Sequence, residues 1–219
     1  MCSEYPKINE KLFLDGKDPG EYAYIGWGDE GVQFYAYSEG YKNAADLIIK
    51  HALTTGFLGD LDSLVYPACF LYRQYIELAL KGIYLSNTKD TQQNKIATIE
   101  KCGHNLLKIW EKAKSLIIAD YPNEDHGVLM AVENYIKEFD SEDKRSFAFR
   151  YPVDKKTLEL IHNPFDGNND EGQCRTRKVG RFIDLSNLLK RMNELHSFFY
   201  NVSADMDVKR DSEAEMQSA

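Results

Sequence analysis

Arg73, Glu77 and Lys81 recur four residues apart in the stretch Phe70-Leu71-Tyr72-Arg73-Gln74-Tyr75-Ile76-Glu77-Leu78-Ala79-Leu80-Lys81, whose other members are nearly all apolar. At helical spacing the three charges share one face of a helix that other helices must bury. Buried charges have to be paired or hydrogen-bonded, so this face must meet something complementary. Two arrangements satisfy it. In one, Glu77 bridges Arg73 and Lys81 in a closed ion network, which confers specificity more than stability. In the other, the face joins His104, at a helix start, and the pair Arg150-Tyr151 in a pocket for a phosphate group. Guanidinium groups then supply bidentate hydrogen bonds, and the free amides of the helix N-terminus add donors. In that pocket Glu77, Lys81 and Tyr151 are the expected ligand-binding residues.

The elements that must position these groups are helices. Apolar residues recur at helical spacing in five places, which predicts helices over about 41–55, 61–86, 104–119, 124–139 and 184–203. The second contains Tyr66-Pro67, and its first turn is expected to begin near that proline. Asp184 is placed to cap the last helix, whose apolar stripe runs from Leu185 through Leu188, Met192 and Leu195 to Phe199. The stretch Phe147-Ala148-Phe149-Arg150-Tyr151-Pro152-Val153 alternates and is bounded by turn residues, which predicts a short strand or extended insertion. Residues 163–180, rich in Asn, Asp and Gly, predict a long exposed loop. The expected organisation has three parts. An irregular segment over 1–35, rich in Gly and aromatics, packs on the domain through Tyr22, Tyr24 and Trp27. A helical domain occupies 36–204, and a flexible polar tail 205–219. The fold class is all-α, an antiparallel bundle of about five helices with one short extended insertion.

Composition narrows the chemistry. The chain has 219 residues, 43% of them hydrophobic and 12% aromatic, enough for a sizeable core. Its formal net charge of −8 gives no global attraction for nucleic acid, which needs locally concentrated Lys and Arg. The one dense basic cluster is Cys174-Arg175-Thr176-Arg177-Lys178-Val179-Gly180-Arg181. Cys2, Cys69, Cys102 and Cys174 follow no zinc or redox spacing, so no metal site and no cofactor are expected. No apolar run reaches the roughly 18 residues of a membrane span, and the start MCSEYPKINE lacks the pattern of a signal peptide. A cytoplasmic location without membrane contact is the expectation. The Walker loop, the dinucleotide-binding Gly motif, the nucleophile elbow and the His-Glu-x-x-His motif are all missing from the sequence.

The order of two of these features carries a resemblance. A helix holding Glu77 and Lys81, followed by Gly103-His104-Asn105-Leu106, resembles the second and third helices of the HEPN superfamily. Ser146-Phe147-Ala148-Phe149-Arg150-Tyr151-Pro152 resembles a stretch of a bacterial, poorly characterised branch of that superfamily. The resemblance covers residues 40–203. It implies a homodimer and one of two activities. Many HEPN proteins are metal-independent ribonucleases, often toxins or antiviral effectors held by an antitoxin. Their site is an Arg-x(4–6)-His motif contributed by both subunits. Others lack the motif and bind nucleotides or partner proteins without catalysis.

The sequence contains one such spacing, Arg191-Met192-Asn193-Glu194-Leu195-His196. It falls inside the last predicted helix, where five residues leave the two side chains about 140° apart around the axis. The family's arginine instead stands at a helix start. A ribonuclease reading would give His104 or His196 the proton transfers at the 2′-hydroxyl, and Arg73, Arg150 or Arg191 the developing phosphorane charge. The expected function is therefore binding or metal-independent cleavage of RNA, or binding of a nucleotide phosphate, in a defence or toxin–antitoxin setting. The alternative is a non-catalytic HEPN-like module that docks a partner protein. An open cavity around Arg73, His104 and Arg150 would favour the first, and a closed ion network the second.

Overall fold

In the computed structural model the described residues are 8, 11–18, 20, 21, 23–28, 30–122, 126–143, 146–152 and 182–218. They form six helices: α1 (Glu30–Thr55), α2 (Leu58–Asn87), α3 (Gln92–Cys102), α4 (Leu106–Asp120), α5 (Gly127–Glu142) and α6 (Leu185–Ser218). The all-helical class matches the expectation. The basic cluster at 174–181 and the predicted loop at 163–180 lie outside the described residues.

α2 is the hub, packed against α1, α4 and α6. Tyr72, Ile76 and Leu80 are fully buried along it, as its near-continuous apolar sequence requires. Pro67 lies well inside α2 rather than at its start, so the helix lacks one amide donor there. α1 turns back into α2 at Gly56, whose φ of 59° is a conformation glycine adopts without steric cost. The Gly56 amide closes α1 by donating to the Ala52 carbonyl at 3.0 Å. Three helix starts have side-chain caps, two of them at predicted helices. Thr91 accepts from the Asn94 amide, Asn105 from that of Lys108 at 2.8 Å, and Asp184 from that of Asn187 at 2.9 Å.

Five expectations change. α1 begins at Glu30, inside the segment read as irregular, because Ser38, Lys42, Ala45, Ile49 and Ala52 form one buried stripe at helical spacing. Of the residues expected to pack the segment before α1, Tyr24 is 74% exposed and Trp27 50%, and Tyr22 lies outside the described residues. The polar tail is the end of α6. Met206 is buried in the core, Lys209 lies 3.6 Å over the Tyr121 ring, and Arg210 donates to the Ser86 carbonyl at 3.1 Å. α3 is an additional helix, whose polar sequence buries only Cys102 and so leaves little apolar periodicity to read. The extended insertion is absent among the described residues. The Phe147 carbonyl accepts from the Arg150 and Tyr151 amides at 3.0 and 3.2 Å, and the Asp143 carboxylate accepts from the Phe147 and Ala148 amides. A carboxylate capping free amides nucleates a helical turn, which overrides the alternating pattern.

Candidate functional site

Arg73, Glu77 and Lys81 meet, as their spacing predicts, and His104 joins them at Glu77, but the arrangement is closed. Arg73 is fully buried, and each nitrogen of its guanidinium donates a hydrogen bond. One terminal nitrogen donates to Glu77 Oε2 at 3.1 Å, the other to the His104 carbonyl, and Nε to the Asp143 carbonyl at 2.9 Å. The Asp143 carboxylate, also buried, lies 3.7 Å from Nε. Glu77 Oε1 accepts from Lys81 at 2.8 Å, and His104 Nδ1 stands 3.0 Å from the same oxygen. Arg73 thus ties α2 to the start of α4 and the end of α5 through two backbone carbonyls. That is a structural use of an arginine fork, buried out of reach of a phosphate from solvent.

His104 differs from the rest of this group, with a side chain 66% exposed. It and Glu77 make an imidazole–carboxylate pair at the surface, which is suited to moving a proton. Burial raises the Glu77 carboxyl, but Lys81, His104 and Arg73 outweigh it and hold the group below its ordinary value of 4.5. A carboxylate whose folded-state value is depressed contributes stability that is present above the ordinary value and lost as pH falls through the folded one. The urea midpoint of the wild type is therefore expected to drop as pH falls below the ordinary value of 4.5, and Glu77→Gln to flatten part of that drop. An identical slope in the variant would remove Glu77 from the acid response.

Arg150 and Tyr151 stand apart from this network. The Arg150 guanidinium donates to the Ser146 carbonyl and lies over the rings of Phe70 at 5.9 Å and Tyr151 at 5.4 Å. Gln74 links α2 to the same turn through Ser146 at 2.8 Å. Arg150 packs there on aromatic faces instead of completing a two-arginine clamp with Arg73.

Arg191 and His196 diverge around α6, as 140° of helical rotation requires. Arg191 donates to Glu194 at 2.7 Å, Asn187 at 3.2 Å and the Tyr135 hydroxyl of α5 at 3.3 Å. His196 faces α1 and α2 instead. Its Nδ1 is 3.1 Å from the Tyr75 hydroxyl and 3.4 Å from Glu39 Oε1. Within one chain the two do not share a site.

Two polar constellations were not singled out from the sequence. The first is buried between α1, α2 and α6. Asp46 accepts from Lys42 and from the Tyr72 hydroxyl, both at 2.8 Å, and Lys42 also donates to Asn193. Burial and the bond to Asp46 push the Tyr72 hydroxyl far above its ordinary range. The i, i+4 spacing of Lys42 and Asp46 among buried α1 positions was the available signal. The second surrounds His196 in a groove of about 420 Å³ between α1, α2 and α6. Tyr35, Glu39 and Tyr200 join Tyr75 and His196 in its wall. Burial, Glu39 and Tyr200 together raise the Tyr35 hydroxyl, so these three groups lie within electrostatic range of one another.

Among the described residues no helix is long and apolar enough to cross a membrane. Comparison of the chain with protein-family models, with curated proteins and with solved structures finds no match in any of the three.

Proposed function

We propose that this chain is a HEPN-like, non-catalytic interaction module that pairs with a second copy of itself. The observation that supports this reading is the network at Arg73: the guanidinium best placed to serve His104 is fully buried, and each of its three nitrogens donates to a protein oxygen. Charge stabilisation at a scissile phosphate needs a donor that is free to face it. The surface for pairing comes from the segment before α1, where Leu12, Phe13, Leu14 and Ile25 are 78–89% exposed. Apolar side chains grouped this way mark interaction sites.

A second reading, binding or cleavage of RNA, has one observation in its favour. Burial raises the Cys102 thiol while the ammonium groups of Lys112, Lys108, Lys81 and Lys101 pull it down, so four lysines surround the loop that carries His104. Incubation of mixed tRNA and mRNA with the protein in EDTA separates the readings. The module reading expects intact RNA with wild type and with a His104→Ala/His196→Ala variant alike, and a dimer mass by light scattering. Cleavage that the double variant loses overturns it in favour of a ribonuclease, and a monomer mass overturns the pairing.

A further inference from the structure

The groove between α1, α2 and α6 has the Glu39 carboxylate and three tyrosines in one wall. Glu39, on α1, lies beside His196 at 3.4 Å, and His196 in turn contacts the Tyr75 hydroxyl at 3.1 Å. Ring centroids of Tyr75 and Tyr200 stand 5.9 and 6.3 Å from that of His196. Tyr35 and Tyr200 are 53% and 52% exposed, so their faces are open to an incoming molecule, while Tyr75 is buried and forms the inner wall.

The charges nearby do not cancel Glu39. Arg210 is the one cation in the groove wall besides His196. It is committed to Asp207 at 3.0 Å and to the Ser86 carbonyl at 3.1 Å, with Asp211 a further 3.7 Å neighbour. In this wall the carboxylates of Glu39 and Asp207 outnumber the one guanidinium, and that guanidinium is turned to Asp207. Such a wall repels a phosphate. A cation meets the opposite situation, since the negative faces of tyrosine rings attract it and a carboxylate completes the pairing. The volume of about 420 Å³ lies within the range of small-molecule sites.

We propose that this groove is a binding site for a small organic cation, an amine or quaternary ammonium compound, held by Glu39 between the rings of Tyr35 and Tyr200, with Tyr75 behind them. Glu39 supplies the counter-charge, the tyrosine rings supply the cage, and His196 positions Glu39 and Tyr75 through its contacts with both. The site goes beyond the proposed function and stands independently of it: RNA cleavage and chain pairing test the one, and ligand titration tests the other.

The probe is choline, compared by calorimetric titration with 3,3-dimethyl-1-butanol, which has the same shape without the charge. The expected result is saturable binding of choline to the wild type and at least tenfold weaker binding of the neutral isostere. Glu39→Gln and Tyr200→Ala are each expected to weaken choline at least tenfold, while Glu111→Gln, a carboxylate on the exposed side of α4, leaves it unchanged. Tyr200 is half-exposed, so its variant folds even if the helix contact at Glu39 proves sensitive, and thermal unfolding of both variants checks this. Absence of saturable choline binding at millimolar concentration overturns the proposal. Equal binding of the isostere, or unchanged affinity in folded Glu39→Gln, overturns it as well.

Discussion

Arg73→Ala is expected to lower the stability of the protein by about 3–5 kcal/mol, the range for removing one partner from a buried charged network. Three separate losses follow from the one truncation. Glu77, almost fully buried, loses the Arg73 donor on Oε2 and keeps Lys81 on Oε1 and His104, whose Nδ1 lies 3.0 and 3.2 Å from the two oxygens. The carbonyls of His104 and Asp143 lose a charged donor between α4 and α5. A fully buried guanidinium also leaves a void lined by the end of α5, and voids add to the cost. Arg73→Lys restores the charge, but an ammonium has no planar fork with which to reach three acceptors at once, so it recovers only part of the loss. Urea unfolding of both variants checks this, with an unchanged slope marking a change in the native state alone. A loss under about 1 kcal/mol for Arg73→Ala would put the network on a level with a surface ion pair and undercut its structural role.

Asp46→Ala is expected to have an effect of similar size, about 3–5 kcal/mol, for a related reason. Asp46 is the shared acceptor of Lys42 and Tyr72, and all three are buried. Removing it leaves an ammonium bonded to Asn193 and takes the acceptor from the Tyr72 phenol, in the seam where α1, α2 and α6 meet. The sign of the double variant is the sharper test. Adding Lys42→Met to Asp46→Ala removes the stranded charge, so the pair together is expected to be more stable than Asp46→Ala alone. If the double variant is instead less stable by the sum of the two single losses, Lys42 and Asp46 act independently and the network description fails.

The two networks differ in how far they could be read before the structure. Arg73, Glu77 and Lys81 stand out because they interrupt a run of apolar residues, and their i, i+4 spacing is a local property of any helix. Lys42 and Asp46 have the same spacing, yet α1 carries enough other polar residues that nothing marks its inner face. The N-terminal boundary of α1 failed for the same reason. Gly, Ser and Tyr near its start lower the helical signal, and burial against α2 supplies what propensity does not. The end of α6 follows suit: a single buried Met206, with Lys209 and Arg210 reaching neighbouring elements, carries a polar sequence as helix to Ser218. Phe147 to Tyr151 alternates like a strand, but the alternation says nothing of the Asp143 carboxylate that turns it.

By itself, then, the sequence determined the all-helical class, the burial of α2, the capping of α6 by Asp184 and the meeting of Glu77 with Arg73 and Lys81. Each of these depends on residues within a few turns of one helix, where backbone geometry dictates who is near whom. The tertiary structure alone decided that Arg73 spends its remaining donors on the carbonyls of His104 and Asp143. It also decided that Arg150 stacks on Phe70, and that His196 faces Glu39 and Tyr75 while Arg191 faces Tyr135. These partners are separated by tens of residues or more, and no local periodicity encodes which of them a side chain will reach. The choice is made by how helices pack against α2, and that packing is settled by the whole core at once.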